Sequence, residues 1–532
     1  MHKVTKFITA IFFSLTTFWL WQSSPVLATK TLNWSEPAEL QTLDPALSVD
    51  TTSSEILRNS YEGLYRLENN GKLSPALVTK EKISSDGLTY TFSLQKNARW
   101  SNNDPVTAAD FVFSWRRALT PQTGAANVQL FDGIKNAKAI ATGQVAPDQL
   151  GVVALDKHTL QVTLENKIPY FESLTTAPIF APLNEKAVTK FGKEYGTSAK
   201  KAIFNGPFTV KAWTGPEQKW SLTKNAKYWD KGHVKLDKIN FLVTKSTSTS
   251  YNMFQSGQLD KTDLSQDQAQ ALKKNPDFVA RKQARIHYLD INKERPALKN
   301  LNIRRALSYA IDRKQLVERV LANGSITTES FIPKGLMSYK GQDFSKLAAT
   351  KVGTSFDKKK AQAYLAKGLK ELGQKELTLE LLGDDEDLSK KTNEFLQSQL
   401  ESNLPHVTIK TANINKKNRI TRMQQGDFDL VSTGWGADYQ DATSVLDLFT
   451  ADSHYNFGKW KNPEYDKLLA QAKTNSGAKR ISDLLRASNL LNKEQAVIPL
   501  YQPALATLLK KDVQALQYAP IGGYNFKTTV VK

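Results

Sequence analysis

Twelve residues, Phe428 to Tyr439 (FDLVSTGWGADY), hold the residue types best suited to gripping a ligand. Trp435 stands between Gly434 and Gly436; Asp438 lies two residues further on, and Tyr439 follows it. Glycine within a strand weakens it but lets another backbone approach closely. A large apolar ring, bare backbone and one carboxylate together suit a ligand with a backbone and a cationic end. A peptide with a free α-amino group is such a ligand. The plainer reading is a bulge or turn carrying a solvated aspartate, and on these residues alone it stands ahead.

Other chemistries find no support in the sequence. There is no Gly-rich phosphate loop of the Walker type, no G-x-S-x-G elbow and no H-E-x-x-H helix. The chain has no cysteine, so thiolate catalysis and zinc-thiolate sites are excluded. Beyond His2 the histidines are His158, His233, His287, His406 and His454, spread without metal-ligand spacing. No cofactor or metal is expected. The formal net charge is +20, but the lysines are scattered, with only short runs such as Lys358 to Lys360. Nucleic-acid binding calls for a concentrated basic face or a recognisable module, and neither is present. The surplus fits a solvated basic surface, or attraction to an anionic cell wall or membrane surface.

The twelve residues need elements to hold them. From residue 286 the pattern becomes regular. Ile286 to Asn292 reads as a strand. Asn302 can cap a helix carrying Ile303, Leu307, Ala310 and Ile311, and Lys314 to Leu321 reads as a second helix. Asp357 opens a helix with Ala361, Leu365, Leu369 and Leu372 on one side, ended by Gly373. A strand (Leu377 to Leu382), a helix (Leu388 to Leu404), a strand (Val407 to Ile414) and a helix (Lys417 to Gln425) lead to a strand over Phe428 to Thr433. This alternation predicts right-handed crossovers and a parallel sheet. Gly434 to Tyr439 then lie beyond the carboxyl end of a strand, where open α/β sheets bind ligands.

Earlier in the chain, Thr31 to Trp34 reads as a strand, and Ser53 or Ser54 can cap a helix carrying Ile56 and Leu57. Leu88 to Leu94 alternates as a strand. Thr107 and Asp110 resemble a capping box, with Phe111, Trp115 and Leu119 on one helical face. Such an aromatic stripe belongs to a core rather than a ligand site. At 532 residues the chain is too long for one core, so two or three domains are expected. Lys3 and Lys6, an apolar run from Phe7 to Trp21, and Val26-Leu27-Ala28 follow the order of a secretory signal peptide. The alternative is an uncleaved anchor helix, though the run is short of a comfortable span.

With these pieces in place, the chain resembles the oligopeptide-binding proteins of ABC importers, within the extracytoplasmic peptide/nickel solute-binding group. The likeness rests on Leu43-Asp44-Pro45, Tyr61 to Leu64, Ala98 to Trp115, Asn205 to Phe208, Asn225 to Asp230, Asn302 to Asp312 and Gly434 to Tyr439. It implies two α/β lobes joined by a hinge plus a third, smaller lobe, like a type II periplasmic binding protein. After a signal peptide at 1–28, lobe I would comprise 29–61, 171–285 and 505–532. Lobe II would be 62–170 and lobe III 286–504. The resemblance further implies a monomeric, non-enzymatic receptor that closes on an extended peptide and serves membrane permease subunits. Asp438 would hold the ligand's α-ammonium. Gly434, Trp435 and Gly436 would pair with its backbone beside Tyr439, and Val49, Asp50 and Thr51 would face them from lobe I. Tyr288 matches an aromatic of the family's lobe III.

Departures from the family pattern leave the ligand's carboxyl end open. Ser432 stands where an arginine is described, Ser389 where a histidine is, and Lys416 where a pocket tryptophan is. Lys416 is thereby a candidate partner for the carboxylate. With no cysteine there is no lipid anchor through one, so an extracytoplasmic protein is expected to be secreted, surface-associated or periplasmic. A peptide-pheromone receptor is the neighbouring alternative, and a secreted hydrolase the alternative from another class.

Overall fold

The computed structural model describes residues 30–125, 127–215 and 217–532. The expected signal peptide lies outside the described residues.

Local chemistry decides the first helices. Helix α1 (Thr51–Ser60) is capped by Asp50, whose carboxylate accepts from the Ser53 amide at 2.7 Å. The cap therefore falls earlier than Ser53 or Ser54. Ser53 is engaged elsewhere: its hydroxyl accepts from the Gln41 and Thr42 amides at 3.1 and 3.3 Å. Helix α2 (Ala108–Leu119) carries the expected capping box between Thr107 and Asp110. Its stripe of Phe111, Trp115 and Leu119 is buried, and Trp115 packs edge-on against Phe180 at 5.2 Å. This face is core, as its spacing predicts.

Two four-stranded sheets flank that core. One runs Val78–Ile83, Thr89–Leu94, Thr159–Thr163, Val152–Asp156, all antiparallel. The other sets Thr31–Glu36 parallel to Lys238–Val243, followed by Lys219–Lys224 and Phe208–Lys211. The chain's end returns to the same core. Trp34 meets Tyr524 and Phe526 edge-on at 4.8 and 5.1 Å, and one continuous apolar cluster joins residues 32–243 to 513–526. A smaller three-stranded sheet pairs Ala504–Leu509 with Lys261–Asp263 and Phe278–Lys282.

The remaining large sheet has six strands: β1 (Arg285–Ile291), β2 (Ile326–Thr327), β3 (Leu377–Asp384), β4 (Val407–Ile414), β5 (Leu430–Gly436) and β6 (Val497–Gln502), in the order β2-β6-β1-β5-β3-β4. Helices α3 (Lys358–Leu372), α4 (Asp387–Asn403) and α5 (Lys416–Gln425) alternate with its strands. The sheet is mixed rather than parallel. β3 pairs parallel with β4 and β5, whereas β1 is antiparallel to both β5 and β6. β3, β4 and β5 follow one another through α4 and α5, single-helix crossovers that make them run parallel. β1 lies between β5 and β6 and runs against both. Asp357 caps α3 as expected, but Asn300 rather than Asn302 caps the helix Leu301–Tyr309. Asn302 turns its side-chain amide to Glu371 at 2.8 Å. Among the described residues no helix is long and apolar enough to cross a membrane.

Candidate functional site

Strand β5 is held unevenly. Leu430 and Val431 pair with Leu381 and Leu382 of β3, and the pairing on that side ends there. On the other side β5 stays paired to β1 through Gly436, opposite Arg285. From Ser432 to Gly436, β5 thus offers a free strand edge, a template for another extended backbone. The strand is longer than its sequence pattern predicts. Gly434 to Gly436 lie inside it, and only Ala437 to Tyr439 lie past its end.

The glycines keep one face of this strand bare. A β-carbon on Gly434 would stand 3.2 Å from His287 Nδ1 and 3.3 Å from the Arg285 guanidinium. Trp435 packs against Tyr455 with ring centres 4.7 Å apart.

Beyond β5 the chain turns tightly. The Ser444 hydroxyl accepts from the Asp438 and Tyr439 amides at 2.7 and 3.3 Å. The Tyr439 ring stacks on Tyr170 at 4.6 Å, and its hydroxyl meets Thr443 at 3.2 Å. Asp441 is locked by a buried ion pair to Arg480 at 2.7 Å. The loop is rigidly supported on every side except at the Asp438 carboxylate. Among the described residues Asp438 makes no salt bridge. It borders a small cleft with Arg58, Leu67, Ser173, Leu174 and Thr176. Partial desolvation there raises its carboxyl above the ordinary value. Open to solvent and without a cation, it remains an acceptor for one.

The other expected residues are placed elsewhere. Val49 is 74% exposed, and Thr51 opens α1. Asp50 is committed to its cap through one oxygen, and its other oxygen is buried without a partner. No hydrogen bond, ion pair or ring contact joins residues 49–51 to 434–439 among the described residues. Tyr288 lies on β1 opposite Thr433, but its ring is buried between Phe331 and Phe449 at 4.9 and 6.1 Å. Lys416 is exposed in the first turn of α5.

Ser432 is buried, with its hydroxyl 3.1 Å from His287 Nε2. The Ser389 hydroxyl accepts from the Asp384 amide at 3.2 Å. Sequence reasoning missed Arg285, His287 and Arg419. Arg285 and His287 share one face of β1 by the two-residue period of a strand, over the glycines of β5. His287 stacks on Tyr501 at 4.9 Å, and burial, helped by the nearby Arg285 and Arg419, pushes its imidazole down to about 3. It is neutral at physiological pH. Arg419 is buried against Asp384 at 2.6 Å and Thr433 at 3.1 Å. Among the described residues no cluster of three or more histidine or carboxylate groups could hold a metal.

Comparison with known proteins finds relatives over nearly the whole chain. A family model for bacterial extracellular solute-binding proteins, family 5 (middle), matches residues 72–457. A dipeptide-binding protein of Lactococcus lactis is 36% identical over 94% of this chain and 94% of its own length. The solved structure of Listeria monocytogenes OppA bound to peptide is 38% identical, covers 95% of this chain and 99% of its own, and superposes with a TM-score of 0.73. The unliganded open form of MppA, a periplasmic murein tripeptide binding protein, is 30% identical over 95% of this chain and 98% of its own, with a TM-score of 0.83.

Proposed function

The chain belongs to the bacterial extracellular solute-binding proteins of family 5, and from that premise we propose that it captures oligopeptides outside the cell membrane and delivers them to the subunits of an ABC permease. One observation carries the peptide reading. The free edge of β5 ends two residues before a carboxylate that has no salt-bridge partner among the described residues. An extended peptide adds to the edge as a strand, its α-ammonium meeting Asp438. Main-chain bonds then supply affinity without reading side chains.

Val49, Asp50 and Thr51 approach the same ligand from the facing lobe when the cleft closes about its hinge. The three-lobed division at 29–61, 171–285 and 505–532, at 62–170 and at 286–504 is the framework for that motion. Export on the N-terminal signal, retention near an anionic wall by the basic surface, and a monomeric state complete the proposal. The protein binds rather than cleaves: the site offers an anchor and an edge, and Ser432, the hydroxyl paired with His287 beside them, is buried.

Calorimetry with trialanine and N-acetyl-trialanine tests the anchor. Wild type should bind the free amine far more tightly, and Asp438→Ala should lose roughly 2–5 kcal/mol of that binding. Equal binding of trialanine by both proteins would remove Asp438 from the site. Cleavage of peptides by the purified protein would favour the hydrolase reading.

A further inference from the structure

A second enclosed space lies away from the strand edge. It forms where α1, the chain that follows it, residues 175–181 and the C-terminal segment meet, and about 60 Å³ of it is open to the centres of water molecules. A water needs roughly 10–15 Å³ on that measure, so the space suits about four to six waters or one small ion. Its charged walls are Arg58, Arg66, Lys527 and Glu62, so cations outnumber carboxylates. Two of these cations are answered. Arg66 pairs with Glu62, which also accepts from the Tyr228 hydroxyl and from Trp229 Nε1. Lys527 pairs with Asp230 and lies over the Tyr228 and Trp229 rings at 5.8 and 5.9 Å. Arg58 is not answered. Among the described residues it makes no salt bridge, and its side-chain bond to the Gly522 carbonyl is long at 3.4 Å. Glu55, one turn earlier on α1, gives its carboxylate to the Tyr524 amide at 2.9 Å instead.

Donors are left over at the same place. The Nε of Arg58 and the Nε of Arg66 are both buried without a hydrogen-bond partner among the described residues. Buried donors are nearly always paired, and a buried charge calls for an opposite one. Burial pulls the Arg58 guanidinium down to about 10, with Glu55 opposing, so it is charged at physiological pH. Water filling the space would accept from the donors but bring no negative charge. An oxyanion brings both, and a guanidinium fork matches its geometry with two parallel bonds. We propose that this cavity is a binding site for one small oxyanion, of the phosphate or carboxylate class, held between Arg58 and Arg66. It is distinct from the peptide cleft. Arg58 stands in the wall between the two, but neither Asp438 nor β5 lines the cavity. The oxyanion fastens α1 to the C-terminal segment at the point where Arg58 meets Gly522.

Calorimetry on the full mature chain tests this, with sodium phosphate and sodium acetate titrated separately and sodium chloride holding the ionic strength constant. Wild type should bind one oxyanion per chain saturably, and the tighter of the two names the class. Arg58→Gln should weaken that binding about tenfold or more, the worth of a charge-assisted hydrogen bond. Arg58→Lys, which restores the charge without the fork, should recover part of it. Thermal unfolding gives a second readout: the tighter oxyanion should raise the melting temperature of wild type more than that of Arg58→Gln. Saturating trialanine should leave the stoichiometry of the oxyanion at one. Three results would overturn the inference. Absence of saturable binding by either oxyanion would mean that the space holds water only. Equal binding by wild type and Arg58→Gln would place the anion elsewhere on the basic surface. Displacement by trialanine would place it in the peptide cleft. None of the three bears on the α-ammonium anchor, which is tested at Asp438.

Discussion

Asp438 is a carboxylate with its amide held, its neighbours packed and its charge unanswered. Its raised value has a direct consequence for binding. Protonation deletes the acceptor for an α-ammonium, so affinity should fall on acidification. The fall should begin at a higher pH than for an ordinary aspartate, whose reference value is about 3.9. Isothermal titrations of trialanine from pH 7.5 down to 4 would show the decline, and in Asp438→Asn the remaining weak binding should be flat over that range. A wild-type affinity that does not change with pH would separate the ammonium from this group. Asp438 stands out in the sequence because its setting is local, a carboxylate after bare backbone, while the role proposed for it comes from the family resemblance. Arg285 does not. Its place depends on the register that sets it opposite Gly436, and on the absent β-carbon of Gly434, which would stand 3.3 Å from its guanidinium. Tyr288 shows the converse: the family resemblance makes it a candidate ligand-facing aromatic, and the sheet turns its ring into the core.

At the scale of elements, helical spacing is legible in the sequence, caps are legible in part, and strand direction is not. The Thr107–Asp110 box and the α2 stripe are properties of a dozen consecutive residues, so sequence alone carries them. Thr107→Ala should destabilise the protein by about 1 kcal/mol, measured by urea unfolding, because it strips one partner from the first turn. The mixed order of the large sheet depends on where β1 and β6 enter, which no window of sequence records. The start of α1 shifted for a similar reason, since Ser53 serves the Gln41–Thr42 turn and leaves the cap to Asp50. Within the site, Gly434→Ala should cost more binding than stability. The new methyl would press on His287 and the Arg285 guanidinium at 3.2–3.3 Å, and displacing them disturbs the free edge. Calorimetric affinity for trialanine should drop about tenfold, while the melting temperature shifts by a few degrees at most. A variant that binds like wild type would show that the bare face is unused.

The whole molecule is closed on itself by its C-terminal segment. Glu55 of α1 accepts from the Tyr524 amide at 2.9 Å, and Asn59 bonds both Tyr524 and Phe526. Burial pushes the Glu55 carboxyl up to about 7, against the opposing pull of that amide, Lys261 and Arg58. A carboxyl raised in the folded state contributes stability below its unfolded value and loses it as pH rises through the folded one. Replacing it with neutral glutamine should therefore help more as pH climbs. The stability of Glu55→Gln relative to wild type should grow by roughly 1–3 kcal/mol between pH 4.5 and 7, then level off. Thermal unfolding of both proteins across that range measures it, and a constant difference would place the ionised form in the fold.

The relation between the two halves carries the last prediction. Superposition is closer to an unliganded open form at 30% identity than to a peptide-bound relative at 38%. Sequence distance would order them the other way. Among the described residues Val49 to Thr51 share no hydrogen bond, ion pair or ring contact with Gly434 to Tyr439, while Tyr170 and Tyr439 stack. A ligand shifts such an equilibrium only by its differential affinity for the two states. A peptide anchored on β5 alone would bind both equally; one that also meets residues 49–51 binds the closed state better. Small-angle scattering should therefore show a smaller radius of gyration with saturating trialanine than without it. Replacing Val49, Asp50 and Thr51 by glycine should weaken that compaction more than it weakens binding. The unfolding transition should rise with peptide by the amount that mass action dictates, about 2.7 kcal/mol at a hundredfold excess over Kd. Stabilisation without compaction would mean that peptide binds the open cleft and that the facing lobe takes no part.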